Sequence, residues 1–394
     1  MNLFLLFIVS ISFLAILLNK TFKNFRKKAE KKARFNSLPI HYTYCFILWI
    51  LLGSFAIFLF DLKPIIRNVL IALLFATTFF ASKILFLQNF NSKKHIEKAG
   101  SLTLSITAGI GILITIIITA SILFEALRFF KIISIGDFIF GINWNPQNAG
   151  SDGSNIGDSF GVIPVFLGTF LVTTIAMTIA VPLGIMAAIY LGFYAHAKTR
   201  DLLKPILEIL AGVPTVVYGY FAVIAIAPFI KNFFALGGVE VAAESALAAG
   251  FVTGVMIIPF ILSLTDDALN SVPQTLKDGA LAMGSTKSEM IKKVALPSAM
   301  PSIVGAIILA VSRAIGETMI VVMAAGLIAK LTINPLNSVT TATVQIVTLL
   351  VGDQEFDSPK TLAAFAIALT LFIFTFIFNI IALVVIKNYK KKYG

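Results

Sequence analysis

Nine stretches of the chain run for about twenty residues with few or no charges, the length a helix needs to cross a bilayer core roughly 30 Å thick. They cover approximately residues 2–18, 43–60, 68–88, 101–124, 163–193, 205–229, 245–265, 302–326 and 361–386. In hydrocarbon only helices and closed barrels satisfy their own backbone, and continuous apolar runs of this length predict helices. The expected fold class is therefore an all-α polytopic membrane protein with about nine transmembrane helices. Composition agrees: of 394 residues, 58% are hydrophobic, 13% are charged and 36 are Phe. That leaves too little charge to cover a soluble fold of this size, which excludes soluble enzymes. The single Cys45 rules out a disulfide framework or a multi-cysteine metal site. His41, His95 and His196 are too scattered for a metalloenzyme motif. No metal site and no cofactor are expected. A basic run, not a small-residue cleavage site, follows the first stretch, which is read as a retained span.

Lys and Arg placement sets the expected orientation, because basic loops stay cytoplasmic. The loops after the first, third, fifth and seventh spans and the C-terminal tail together carry 22 of the 31 cations, eight of them between Lys20 and Arg34. The alternate loops carry seven, and Lys83 and Arg313 fall inside spans. The pattern predicts an N-out, C-in topology with lipid as surroundings, and it accounts for the net charge of +12. Nucleic acid is not an expected partner.

A composition break near residues 89–100 divides the chain into two expected domains. Residues 1–100 form an accessory three-span region with basic cytoplasmic loops, poor in glycine. Residues 101–394 form the second domain, the working half, where Gly109, Gly111, Gly184, Gly212, Gly250, Gly254, Gly305 and Gly316 permit close helix contacts. Pro182, Pro214 and Pro259 are expected to kink spans. The segment 125–162 reads as an interfacial helix followed by a mobile loop, with partner docking as a second possibility.

The segment 271–301 is too patterned for a simple connection. Ser271-Val272-Pro273-Gln274 has the S-x-x-Q spacing of a capping box and predicts a helix start. Leu276, Ala280 and Met283 then form an i, i+4, i+7 stripe that ends at Gly284, a suitable left-handed C-terminal residue. Thr286-Lys287-Ser288-Glu289 is a second capping box, and Leu296-Pro297 is expected to end the helix it opens. The product is a two-helix knuckle, able to carry force from a soluble partner into the membrane. An ordinary amphipathic surface hairpin fits the same pattern.

Asp278-Gly279-Ala280-Leu281-Ala282-Met283-Gly284, with Val294-Ala295-Leu296-Pro297 following, resembles the EAA signature of permease subunits in binding-protein-dependent ABC importers. Asp278 stands where Glu is usual and Gly279 where Ala is first choice, the latter at about 1 kcal/mol of helix propensity. The resemblance implies that Asp278, Gly279, Ala280, Gly284, Leu296 and Pro297 belong to a coupling loop that docks on an ATP-binding subunit dimer. It also implies a type I importer core of six helices, preceded here by three N-terminal helices.

Arg313 and Glu317 stand inside the eighth expected span, where each charge costs roughly 2.5–3.5 kcal/mol. Their i, i+4 spacing predicts that they share a helical face and pair. A structural ion pair is one reading. The other is a substrate site, since a guanidinium presents donors in a fork that matches oxyanions. The run Arg313-Ala314-Ile315-Gly316-Glu317-Thr318 resembles the R-A-I-G-E-T motif of the PstC-type permease of phosphate importers, and Lys204–Gly219 and residues 163–192 are similar to the same family. The likeness extends over about residues 101–390.

This resemblance implies a permease subunit that translocates inorganic phosphate across a bacterial inner membrane, with Arg313, Glu317 and Thr318 on the substrate path. Glu317 would hold and partly neutralise Arg313. The implied partners are a PstA-type permease subunit, the ATP-binding dimer, a periplasmic phosphate-binding protein and the phosphate ion. No G-x-x-x-x-G-K-[ST] run occurs, so ATP hydrolysis is expected in a partner chain and no catalytic residue in this one. A PstA-type sister or a sulfate or molybdate permease remains an alternative. An intramembrane enzyme or a signalling scaffold is a more distant one.

Overall fold

The computed structural model describes residues 92–147, 156–351 and 357–393, with three single positions before them. The first three expected spans lie outside the described residues. The chain divides into two compact units, Met1–Ile117 and Ile118–Gly394.

Among the described residues the regular structure is helical, apart from one isolated bridge between Trp144 and Phe160. In chain order the helices are α1 (Ser92–Ile132), α2 (Ile135–Phe140), α3 (Ile163–Ile189), α4 (Ala197–Ala211), α5 (Thr215–Phe221), α6 (Ala227–Ala235), α7 (Ala246–Asn270), α8 (Gln274–Ala282), α9 (Lys287–Met290), α10 (Leu296–Ile315), α11 (Met319–Ala324), α12 (Ala342–Leu350) and α13 (Pro359–Tyr393). Wide π turns extend α3 through Tyr190–Tyr194, join α5 to α6 through Ala222–Ile226 and join α9 to α10 through Ile291–Ala295. Six of the resulting rods are long and apolar enough to cross a membrane: Glu97–Ile132, Ile163–Tyr194, Thr215–Ala235, Ala246–Asn270, Lys287–Ile315 and Pro359–Lys387.

Four of these rods match the stretches expected at 101–124, 163–193, 245–265 and 361–386 to within a residue or contain them whole. The other two are displaced. Residues 205–229 do not form one helix: α4 ends at Gly212, and Pro214 stands at the N-cap of α5 instead of kinking a span. The proline has no N–H to donate and pushes Val213 out of the helical region, while Lys198, Arg200, Asp201, Lys204 and Glu208 give α4 a polar side. The stretch expected at 302–326 starts earlier and stops sooner. Leu296-Pro297 does not end the helix opened at Thr286, because the π turn absorbs the missing donor. The Leu296 N–H reaches back five residues to the Ile291 carbonyl, and the rod continues to Ile315.

The core is a close pairing of α3 with α7, made possible by small residues. A Cβ at Gly254 would stand 2.8 Å from the Ala176 carbonyl oxygen, and one at Gly250 would stand 2.7 Å from Ile175 Cβ. Gly184 fits equally tightly against Ile261, whereas Gly109 and Gly111 have nothing within 4 Å among the described residues. Val172, Ala180, Val252, Met256 and Ile257 fill the space between these helices, with Ala310 and Ala314 of α10 and Ile320 and Ala324 of α11 around them.

At the end of the bundle where α3 begins, residues 125–147 and 156–162 pack as a cap, not as a helix lying on an interface. Phe129, Phe138 and Phe160 are fully buried in edge-to-face contact, with Trp144 beside them. Residues 148–155, part of the expected mobile loop, lie outside the described residues. Between α11 and α12 the chain runs without helix, yet its backbone is satisfied: Val339 donates to the Ala325 carbonyl at 2.9 Å, and Ala246 and Leu247 donate to Asn337 and Pro335 at 3.0 and 2.8 Å. Gln345, buried on α12, accepts from the Trp144 indole at 2.9 Å and donates to the Leu327 carbonyl and to Thr340. Irregular backbone is tolerated at membrane depth when protein encloses it in this way.

Gly168 of α3 lies directly against this segment, where a Cβ would fall 2.1 Å from the Thr340 carbonyl oxygen. Gly168→Ala is expected to cost about 1–3 kcal/mol, the usual penalty of overpacking against atoms that cannot retreat. Gly279→Ala on α8, where nothing lies within 4 Å, is expected to stabilise by up to about 1 kcal/mol through helix propensity. Thermal unfolding in detergent should therefore move in opposite directions for the two variants. An unchanged midpoint for Gly168→Ala would refute the close approach.

Candidate translocation and coupling sites

Arg313 lies in the last turn of α10, not in mid-helix, and Gly316 follows as its C-cap. A cation is favoured there by the unsatisfied carbonyls and the helix dipole. Its guanidinium sits 5.6 Å from the centroid of the Phe260 ring, and Nη2 approaches the Met256 sulfur at 3.7 Å. Both neighbours are on α7, four residues apart. The side chain is otherwise exposed, and among the described residues it forms no ion pair.

The expected pair with Glu317 is absent because the helix ends between the two residues, so i, i+4 spacing no longer places them on one face. Glu317 is 8% exposed. Its Oε1 accepts from the Ile320 N–H at 3.3 Å, which opens α11, and its backbone carbonyl accepts from the Thr343 hydroxyl at 3.0 Å. Glu317 thus organises the turn between α10 and α11 and does not neutralise Arg313. The Thr318 hydroxyl reaches the Gly316 carbonyl at a long 3.4 Å and remains half-buried within the same turn.

The knuckle forms at the opposite end of α3 from the aromatic cap. Ser271 does not open it. Its hydroxyl donates backward to the Ala268 carbonyl at 2.7 Å, at the C-terminus of α7, and Pro273 is the N-cap of α8 without a side-chain bond. The second capping box forms as expected: Glu289 N–H donates to Thr286 Oγ1 at 3.3 Å and Thr286 N–H to the Glu289 carboxylate at 3.0 Å. Gly284 takes the left-handed conformation, φ +86°. Leu296 and Pro297 lie beyond the knuckle, within the continuous rod and half-buried, Leu296 against the cluster of Ala268 and Leu269.

The stripe anticipated on α8 does not face inward as a unit. Ala280 packs against Met290, Ile291 and Ala295, while Leu276 and Met283 are 49% and 89% exposed. The side chain of α8 that is buried belongs to Lys277, whose Nζ donates to the Leu269 carbonyl at 3.0 Å while lying 5.6 Å from the Phe193 ring centroid. A lysine is favoured here because α7 ends with free carbonyls and an aromatic face covers the stem. Lys287 sits similarly over Tyr194 at 5.3 Å. Asp278 and Gly279 are exposed on the outer side of α8, where Asp278 accepts from Gln274 at 2.9 Å.

Sequence reasoning missed Asp266, a buried carboxylate near the end of α7 held by Arg200 and Lys204 of α4. The available signal was an acidic residue directly after a long apolar run. Its partners lie more than sixty positions upstream.

Six rods long enough to cross a membrane, with a knuckle rooted between two of them, agree with the family match, which makes the chain a transport permease subunit. The chain belongs to the family described as binding-protein-dependent transport system inner membrane component, whose model matches residues 180–391. It is 32% identical over 284 residues to the probable ABC transporter permease protein YqgH of Bacillus subtilis, covering 72% of this chain and 88% of that one. It is 29% identical over 271 residues to phosphate transport system permease protein PstC 1 of Mycobacterium tuberculosis, covering 62% and 80%. Against PstA 2 of Mycobacterium bovis the identity is 32%, but over 171 residues, 43% of this chain and 53% of that one. A chain of the inward-facing MetNI methionine ABC transporter aligns with a TM-score of 0.43 at 19% identity, covering 58% of this chain and 94% of that one.

Proposed function

We propose that the chain is the PstC-type permease subunit of an ABC importer that carries inorganic phosphate across a bacterial inner membrane. The observation that carries this reading is the run Arg313–Thr318, set at a helix end in a chain whose PstC relatives align over three-fifths of its length. A charged guanidinium inside a membrane-crossing rod is too costly to face lipid, so it faces water or protein. Without a carboxylate partner, Arg313 keeps its donors available to an oxyanion. The soft neighbours Met256 and Phe260 hold it in place without competing for those donors. Release remains possible because one guanidinium binds weakly in water, and conduction needs weak sites.

In this reading the Leu276–Met283 side of the knuckle meets the ATP-binding dimer, and a PstA-type subunit completes the pore. A periplasmic phosphate-binding protein delivers the ion on the side of the aromatic cap. The chain is oriented N-out and C-in, and residues 1–100 form an accessory three-span region. The PstA alternative is disfavoured by its shorter alignment.

Cells that lack their own high-affinity system, supplied with this chain and its neighbouring subunits, test the reading. Labelled phosphate uptake is expected to persist in excess sulfate and molybdate. Uptake abolished by either anion would return the substrate to another oxyanion.

A further inference from the structure

We propose that Asp266 is a positioning residue for translocation: it pins the amphipathic helix α4 to the last turns of α7, so that movement of the knuckle is delivered to α4 and, through Pro214, to the rod that begins at Thr215.

The Asp266 side chain is 2% exposed. Both of its oxygens accept from Arg200 Nη2, at 3.1 and 3.0 Å, and Oδ2 also accepts from Lys204 Nζ at 3.0 Å. Arg200 and Lys204 stand one turn apart on α4 and are each about one-third exposed. The rest of α4 is loosely held. None of its residues is buried; among the described residues its other contacts include Leu203 and Leu207 against Ala188, Leu191 and Leu262, and the Leu210 carbonyl in its last turn, which accepts from the Tyr218 hydroxyl at 2.8 Å. Leu202, Ile206 and Ile209 are exposed. The carboxylate is therefore the buried charged attachment of this helix and holds its first half, whereas the Tyr218 bond holds only its last turn.

Stability is a poor reason to place a charge here, because burying a carboxylate costs more than packing a hydrophobic side chain of similar size. The location supplies a better reason. Asp266 lies one turn before Leu269 and Asn270, and the Leu269 carbonyl is the group that Lys277 of the knuckle caps. The wide turn Tyr190–Tyr194 of α3 touches both: a Cβ at Gly192 would stand 3.4 Å from Asp266 Oδ1, while Phe193 faces Lys277. Wide turns of this kind recur at functional sites. A shift of α8 thus acts on the same turn of α7 that grips α4.

The inference rests on the reading of the chain as an importer permease, and the test separates the two. The full complex, reconstituted in vesicles with its sister permease, ATPase and binding protein, is assayed for phosphate uptake and ATP hydrolysis on the same preparation. Asp266→Asn is expected to raise the ATP consumed per phosphate at least about tenfold, the scale typical of coupling between distant sites. The triple variant Asp266→Asn/Arg200→Gln/Lys204→Gln leaves no unpaired buried charge and removes the pin, so it should be equally uncoupled. Assembled triple variant with the wild-type ratio would show that the carboxylate only balances charge and would overturn the proposal. A parallel fall of uptake and hydrolysis, or failure of the triple variant to assemble, would do the same. Should the wild-type complex take up no phosphate while its binding protein still stimulates ATP hydrolysis, the substrate reading fails. The pin is then judged by that stimulation, which Asp266→Asn should abolish and whose persistence would refute it.

Discussion

Arg313→Ala should cut phosphate uptake roughly 10- to 100-fold while the complex still assembles. Hydrogen bonds to a charged group contribute about 1.5–3 kcal/mol, so loss of the guanidinium should slow translocation roughly 10- to 100-fold. Assembly should survive because Arg313 makes no ion pair among the described residues and its main contacts are Phe260 and Met256. Removing it leaves no buried partner charge. Arg313→Lys should recover only part of the uptake, since an ammonium keeps the charge but not the planar fork. Glu317 separates the roles further. If its carboxylate neutralised Arg313, Glu317→Gln would be as defective as Glu317→Ala. The geometry expects otherwise: the glutamine oxygen can still accept from the Ile320 N–H, whereas alanine loses a cap of about 1 kcal/mol and with it the turn that presents Arg313. Labelled uptake, with co-purification as the measure of assembly, distinguishes the variants. Normal uptake in Arg313→Ala would remove Arg313 from the substrate path.

The double variant Leu276→Asp/Met283→Asp should separate the permease from its ATPase. Met283 is 89% exposed and Leu276 is 49% exposed, on a helix anchored from behind by Lys277 and Ala280. An apolar side chain presented on so rigid a mount is what an interface anchor requires, and loss of an anchor commonly costs 2 kcal/mol or more, about a 30-fold weakening. Charge at both positions should eliminate co-purification of the ATPase without lowering the thermal stability of the permease, because neither side chain packs in its core. Retained co-purification would place the docking face elsewhere on the knuckle.

How much of this was legible beforehand depends on the range of the interaction. The capping box at Thr286–Glu289 and the left-handed Gly284 could be read from a few adjacent residues, and both form as expected. The same kind of reading failed at Ser271, whose hydroxyl has two ends of helix within reach and caps the one behind it. At Pro297 the local rule is correct about the missing donor, but a helix has a second way to accommodate it. A wide turn costs one irregular hydrogen bond and leaves the rod unbroken. At Arg313 and Glu317 the spacing argument assumed a helix that tertiary contacts terminate at Gly316, where Glu317 is drawn to α11 and Thr343.

The sequence by itself determined the class of protein, four of the six described rods long enough to cross a membrane and the two-part knuckle, because each follows from hydropathy and short-range hydrogen bonding along contiguous residues. Only the tertiary structure decided which charges are partnered. Asp266 finds Arg200 and Lys204 some sixty residues away, and Lys277 turns inward where an apolar stripe was expected. Arg313 is left with an aromatic ring and a sulfur instead of a carboxylate. Pairing of charges depends on distance in space and on the cost of desolvation, and neither quantity is written in the spacing of residues along a chain.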